Sequence, residues 1–144
     1  MTMGDTPRQM QIKFSMPSDP RYLCAVRGAI GPLAAAIGWN ESECRAIVLA
    51  VDEALANIIR HAYHDRTDGL MELECCEIPD GLEITLLDNG DAPDRSKICA
   101  REVGSDQPGG LGTHIIKEVM DEFSYQASPE GNRFVAIKHL RKTT

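Results

Sequence analysis

Hydrophobic and polar residues follow two different periods along this chain. Short apolar-rich segments bounded by turn-forming residues predict five β-strands. The strands are expected over Met10–Met16, Leu70–Ile78, Leu82–Leu87, Glu122–Ala127 and Arg133–Leu140. Apolar residues spaced three or four positions apart predict three helices. The helices are expected over Arg21–Ile37, from Asn40 to about His61–Tyr63, and over Gly112–Met120.

The order of these elements predicts a two-layer α/β sandwich. Asn40, followed three residues later by Glu43, forms a capping box that starts the second helix. Pro79-Asp80-Gly81 is a turn between two strands, so a hairpin is expected there. Strands that occur in such pairs predict a mixed, mostly antiparallel sheet with the helices on one face. A single domain is expected over residues 1–144, with about 10–140 structured.

Composition and charge narrow the class of protein. The net charge of −7 argues against direct nucleic-acid binding, because phosphate backbones are held by basic surfaces. No apolar run reaches the roughly 18–20 residues of a membrane helix, and the N-terminus lacks a hydrophobic signal region. The five cysteines are odd in number, show no C-x-x-C spacing and mostly lie among apolar neighbours, which favours buried, reduced thiols. A cytoplasmic protein without membrane contact is expected.

The second helix carries two different stripes of side chains. Five apolar residues at helical spacing are expected to face the sheet: Ile47, Val51, Leu55, Ile58 and Ala62. Glu53 and Asn57 lie four residues apart on another stripe, so their side chains stack one turn apart. Small residues surround them, namely Ala46, Ala50 and Ala54. This arrangement leaves room for a ligand beside the two polar side chains.

Two chemical roles are open to this polar pair. A carboxylate and an amide oxygen one turn apart can share the coordination shell of a magnesium ion, which prefers oxygen ligands. The carboxylate of Glu53 can alternatively accept a proton from an attacking hydroxyl group or water. A solvated helix face without a ligand is the structural alternative for Glu53 and Asn57.

Asp88-Asn89-Gly90 ends the apolar third strand and is a second candidate element. A carboxylate at a buried strand end can accept a hydrogen bond from the amino group of adenine, whereas guanine offers a carbonyl there. Asp88 would therefore favour ATP, and Gly90 would let the chain turn sharply beside the base. An ordinary Asp-Asn-Gly turn is the structural alternative.

A glycine run before the third predicted helix is a third candidate element. Gly109-Gly110-Leu111-Gly112-Thr113 would offer free amides and close approach to phosphate groups at a helix N-terminus. The spacing matches neither a P-loop nor a Rossmann fingerprint. The segment 91–108 lies between the adenine and phosphate elements and is predicted to form a lid over the nucleotide.

Together, these motifs resemble the ATPase superfamily of DNA gyrase, the large heat-shock chaperone, sensor histidine kinases and MutL proteins. E-A-L-A-N resembles its N box, D-N-G its first glycine box and G-G-L-G its second. Within that superfamily, the chain is most similar to the small anti-sigma-factor serine/threonine kinases of bacteria. The resemblance covers about 130 residues and implies the histidine-kinase-like, Bergerat-type fold with bound Mg-ATP.

The resemblance also implies a role for each candidate residue. Glu53 would be the general base, Asn57 the magnesium ligand and Asp88 the acceptor for the adenine amino group. Gly90 would shape the base pocket. Phosphate contacts would come from Gly109, Gly110, Leu111, Gly112 and Thr113. Thr113 stands where related kinases commonly have an aliphatic residue, and Ala92-Pro93 replaces a second glycine common in the wider superfamily.

Partners are implied by the resemblance as well. The expected substrate is a small anti-sigma-factor antagonist protein, the expected sequestered partner is a sigma factor, and a homodimer is expected. Arg27 matches a basic position of related kinases and is a candidate docking residue. A non-catalytic ATP-binding adaptor that sequesters a regulator is the alternative, since the same pocket would serve it. An ATP-hydrolysing conformational switch is less favoured, because larger relatives use additional domains for it.

Overall fold

A computed structural model describes residues 10–92 and 111–141 of the chain. Its strands are β1 (Gln11–Pro17), β2 (Leu70–Ile78), β3 (Gly81–Asp88), β4 (Glu122–Ser128) and β5 (Gly131–His139). Its α-helices are α1 (Leu23–Ile37), α2 (Glu41–Asn57) and α3 (Leu111–Val119). A 3₁₀ turn at Pro20–Tyr22 precedes α1, and a π-helical turn at Ile58–Ala62 continues α2. Each predicted element is present, and its ends differ from the prediction by at most two residues when the π-helical turn is counted with α2.

The strands form one five-stranded sheet in the order β1-β2-β3-β5-β4. All four pairings between the described strands are antiparallel. The prediction of helices beside a mostly antiparallel sheet is confirmed, while the described strands contain no parallel pair. The register of β3 and β5 sets Asp88 directly opposite Asn132. Two segments far apart in sequence therefore meet at one end of the sheet.

The helices cover one face of the sheet and enclose the core. Ile47, Val51, Leu55 and Ala62 are buried on α2 and its π-helical turn, as the apolar stripe predicted, and Ile58 is partly buried. The sheet contributes alternate residues from its inner face, including Met71, Leu73, Cys75, Ile84 and Leu86. This alternation is the period of a strand with one buried face. The core fixes α2 over the sheet.

Local interactions define both ends of the central helix. The Asn40 side chain accepts a hydrogen bond from the Glu43 amide at 2.8 Å, and Glu43 accepts one from the Asn40 amide at 3.2 Å. The predicted capping box is therefore present. At the other end, the Tyr63 amide donates to the Ile58 carbonyl at 3.1 Å, five residues back. This wider turn is a π-bulge, a feature frequent at functional sites.

The remaining general predictions have mixed outcomes. Cys44 and Cys75 are buried free thiols, whereas Cys24 is exposed, so the prediction of buried cysteines is confirmed only in part. Burial raises the pKa of the Cys75 thiol to about 12. Within residues 10–92 and 111–141, no helix has the length and hydropathy that crossing a bilayer requires.

Candidate functional site

Three polar side chains lie along one stripe at the C-terminal end of α2. Glu53 and Asn57 are one turn apart, as predicted, and Arg60 follows in the π-helical turn. The Arg60 Nη2 donates a hydrogen bond to the Asn57 Oδ1 at 2.7 Å and lies 3.9 Å from the Glu53 Oε2. The Glu53 side chain is 29% exposed, so its carboxylate is accessible from outside. A carboxylate, an amide and a cation thus meet on one surface.

The position of Arg60 bears on whether magnesium could bind to Glu53 and Asn57. The Arg60 guanidinium is hydrogen-bonded to the Asn57 amide oxygen and lies 3.9 Å from the Glu53 carboxylate. Both are oxygen ligands of the kind magnesium prefers, and that ion commonly binds through one or two protein groups plus phosphates and water. No cluster of three or more metal-ligating His, Cys, Asp or Glu side chains occurs in the described part of the chain. The residues present would fit an ion completed by phosphate and water once Arg60 leaves the Asn57 oxygen.

Asp88 lies at the end of β3 and is 6% exposed. Its Oδ1 accepts hydrogen bonds from the Asn132 Nδ2 at 2.7 Å and from the Gly90 amide at 2.9 Å. Burial raises the pKa of Asp88, and the hydrogen bonds from Asn132 and Gly90 oppose that rise. A carboxyl group at a buried strand end is therefore present, as the sequence predicted.

The turn after Asp88 packs against the end of the central helix. The Asp91 amide donates to the Ala62 carbonyl at 2.8 Å. A Cβ atom on Gly90 would lie 2.5 Å from that carbonyl oxygen, so only glycine fits at this position. Gly90 therefore has a packing role against Ala62, besides the base-pocket role that the sequence suggested.

Tyr63 provides a second link between the helix end and the Asp88 turn. Its hydroxyl group donates to the Leu70 carbonyl and accepts a hydrogen bond from the Asn89 amide at 2.8 Å. Its ring occupies the space that a Cβ atom on Gly69 would need, so the chain passes close to the ring there. Tyr63 thereby connects β2, the Asp88 turn and the helix that carries Glu53.

The predicted phosphate-binding run is described only in part. Leu111, Gly112 and Thr113 form the backbone of the first turn of α3, which packs against α2. Gly109 and Gly110 lie outside the described residues, as does most of the predicted lid at 91–108. The α3 N-terminus belongs to the same helical layer as Glu53 and Asn57. At its other end, Lys138 donates to the Val119 carbonyl at 2.9 Å.

Arg27 lies on α1, next to the central helix. Its Nη1 donates to the Asp52 Oδ1 at 2.7 Å, and its side chain is 46% exposed. Asp52 immediately precedes Glu53. The candidate docking residue is therefore ion-paired and stands beside the polar stripe of α2.

Sequence reasoning missed three residues of this site. Arg60 could have been found from its spacing, because Glu53, Asn57 and Arg60 follow the i, i+4, i+7 pattern of one helix face. Tyr63 ends a helical pattern and carries no local sign of its bridging hydroxyl group. Asn132 is 79 positions from Glu53 and meets Asp88 only through the β3–β5 register.

Comparison with known sequences identifies related proteins over most of the chain. A family model described as the histidine kinase-like ATPase domain matches residues 16–138. The serine-protein kinase RsbW of Bacillus velezensis is 28% identical over 126 residues, covering 81% of this chain and 78% of that protein. The serine-protein kinase RsbW of Listeria monocytogenes is 29% identical over 140 residues, covering 92% and 88%.

Comparison with solved structures supports the same fold. The RsbU and RsbW domains of Rv1364c from Mycobacterium tuberculosis match with a TM-score of 0.68 at 15% identity, over 94% of this chain and 34% of that chain. The SiaB-SiaC complex from Pseudomonas aeruginosa matches with a TM-score of 0.67 at 14% identity, over 88% of both chains. Because the family model matches residues 16–138, which is well over half of the chain, the chain belongs to the histidine kinase-like ATPase domain family.

Proposed function

We propose that this protein is a Mg-ATP-dependent serine/threonine kinase that acts as an anti-sigma factor. Its substrate would be a small antagonist protein in a bacterial partner-switching circuit that operates in the cytoplasm. The observation that carries the proposal is the accessible Glu53 carboxylate, which lies beside Asn57 and Arg60. The names of the related serine-protein kinases support the reaction type.

In this proposal, different site residues bind different parts of the nucleotide. Asp88 receives the adenine amino group, and the first turn of α3 with Gly109 and Gly110 receives phosphate. Asn57 holds magnesium, which would offset phosphate charge when bound. Arg60 then leaves Asn57 and contributes its positive charge to the phosphate chain.

Glu53 performs the chemical step in this proposal. Its carboxylate accepts the proton of the substrate hydroxyl group while that oxygen bonds to the γ-phosphorus and the bond to the ADP oxygen breaks. In phosphoryl transfer, positioning and charge neutralisation supply most of the rate enhancement. The fixed stripe of Glu53, Asn57 and Arg60 provides both, because all three project from one helix.

The partner assignments follow the same proposal. Arg27 would dock the partner protein, because its guanidinium is half-exposed and is ion-paired with Asp52, the residue before Glu53 on α2. We further propose that this protein sequesters a sigma factor and assembles as a homodimer.

Glu53→Gln tests the catalytic assignment. The amide keeps the shape of the side chain but cannot accept the proton, so phosphate transfer is expected to fall at least about 100-fold. The affinity for Mg-ATP, measured by calorimetry, should stay within about twofold. Transfer is measured with radiolabelled ATP and a candidate antagonist protein. Glu41→Gln is the matched control, because it makes the same change at an exposed position of α2.

Each other outcome points to a different function. Unchanged transfer by Glu53→Gln would remove Glu53 from the base role. Binding of Mg-ATP by the unmodified chain, with stable capture of a sigma factor and no transfer, would favour the ATP-binding adaptor. Absence of binding to either ATP or GTP, with and without magnesium, would contradict the nucleotide site itself.

A further inference from the structure

Asp88 and Asn132 form a nearly sealed polar contact at the end of the sheet. The two side chains are 6% and 4% exposed and face each other across the β3–β5 register. The Asn132 Nδ2 donates to the Asp88 Oδ1 at 2.7 Å, and the Gly90 amide donates to the same oxygen at 2.9 Å. Among residues 10–92 and 111–141, no donor contacts the other oxygen, Oδ2. Both donors therefore engage the same carboxylate oxygen, Oδ1.

The same Asn132 amide also holds the backbone of the turn. Its Nδ2 lies 3.0 Å from the Gly90 carbonyl oxygen and 3.4 Å from that of Asp91. Gly131, at a φ of +137°, brings β5 close to the turn, since a Cβ there would lie 2.8 Å from the Asp88 carbonyl oxygen. The position of Asn132 against Asp88 is thus set by both backbone segments.

We propose that Asn132 determines the purine selectivity of the nucleotide site by orienting Asp88. With Oδ1 engaged by N–H donors, the carboxylate presents Oδ2 as a pure acceptor to the 6-position of the base. A 6-amino purine donates there and is accepted, whereas a 6-oxo purine places an acceptor against an acceptor and is rejected. This inference rests on the proposed function, in which Asp88 contacts the base.

The surroundings of Asp88 explain why a second residue is needed for this selectivity. Its neighbours on the adjacent elements are uncharged: Met71 on β2, Tyr63 after α2 and Asn132 on β5. Burial among them raises the pKa of the Asp88 carboxyl group. The N–H groups of Asn132 and Gly90 favour the ionised acceptor instead. Without the Asn132 donor, the carboxylate would no longer be held in this orientation, so it would distinguish 6-amino from 6-oxo purines less well.

The experiment compares ATP with ITP, which carries a 6-oxo group in place of the 6-amino group. Calorimetric dissociation constants are measured for both, with magnesium, on the unmodified chain and on Asn132→Leu. The unmodified chain should prefer ATP, and the ITP/ATP ratio of dissociation constants should fall about tenfold in Asn132→Leu. Gln126→Leu is the matched control, because it makes a similar amide-to-leucine change at an exposed position of β4 and leaves both donors to the Asp88 carboxylate in place. Its ratio should equal that of the unmodified chain.

The ITP/ATP ratio of dissociation constants distinguishes a loss of base selectivity in Asn132→Leu from a general disturbance of the fold. Equal weakening of ATP and ITP in Asn132→Leu would overturn the inference, since disorder of the turn affects both nucleotides alike. Thermal unfolding monitors the fold, and if Asn132→Leu is too unstable, Asn132→Ser replaces it with the same expected change and the same contradicting result. Failure of the unmodified chain to bind either nucleotide would instead overturn the proposed function, and this inference with it.

Discussion

At the scale of single residues, the electrostatics of the site depend on Arg60. Its guanidinium lies close to the Glu53 carboxylate and contacts the Asn57 oxygen directly. Hydrogen bonds from charged groups are stronger than neutral ones, so this contact orders the Asn57 amide. A bound phosphate chain would compete for the same guanidinium.

Arg60→Ala is predicted to weaken the binding of Mg-ATP about tenfold, because the phosphates lose one charged partner. Adenosine, which lacks phosphate, should bind equally well to both proteins. Calorimetric titration with each ligand measures the two affinities. Arg45→Ala, which breaks a surface pair with Glu41 on the same helix, is the control. Parallel loss of adenosine and ATP affinity would show that Arg60 acts on the fold rather than on phosphate.

At the scale of elements, the Asp88 turn and the end of α2 form one packed unit. The Asp91–Ala62 backbone hydrogen bond and the bridging Tyr63 hydroxyl group join them. The π-helical turn places the Ala62 carbonyl at this junction. The adenine and magnesium parts of the proposed site are therefore coupled through these two contacts, as well as through a bound nucleotide.

Gly90→Ala tests this coupling. The added methyl group would lie 2.5 Å from the Ala62 carbonyl oxygen, so the turn must move, at a cost of about 1–3 kcal/mol. Urea unfolding measures the stability, and ATP affinity should fall with it. Gly28→Ala on α1 is the matched control, since its Cβ meets nothing within 4 Å and alanine favours a helix by about 1 kcal/mol. Equal stability of Gly90→Ala and the unmodified chain would contradict the packing role.

At the scale of the whole molecule, the end of the sheet opposite the nucleotide site carries a charged junction. The His139 Nε2 lies 2.9 Å from Glu122, and its Nδ1 lies 3.1 Å from Asp80. The hydrogen bond to Glu122 raises the pKa of His139 above its usual value near 6.5, and the nearby carboxylates add to the rise. The imidazolium thus links the β2–β3 turn to the first residue of β4.

The stability of the protein should therefore depend on pH through His139. Because the pKa is higher in the folded state, the contribution is fully present below about pH 6.5 and is lost as the pH rises through the raised value. Urea unfolding between pH 5 and 8.5 measures this decline, and His139→Gln should flatten it. His114→Gln, at an exposed pair with Glu118, is the control. A decline of the same size in His139→Gln would contradict the assignment.

Local patterns along the chain were sufficient to define the elements and much of the candidate chemistry. Helix and strand periods are local properties, so α2, its capping box and the hairpin strands were predicted nearly to the residue. The pairing of Glu53 with Asn57 follows from helix geometry alone, and the family resemblance follows from three short motifs in order. The histidine kinase-like family and the fold were confirmed, whereas the site roles stay predictions.

How the separate motifs meet depends on the folded arrangement of the chain. The β3–β5 register brings Asn132 onto Asp88, and the π-helical turn places the Ala62 carbonyl beside the Asp88 turn. The Tyr63 hydroxyl group contacts Asn89, 26 positions away. Sequence period cannot reveal such contacts, because it reports which face a residue occupies and not which distant residue packs against that face. The proposed selectivity for the base depends on those contacts. This selectivity is therefore a property of the folded chain, although the sequence alone indicated Asp88 as the residue that would contact the base.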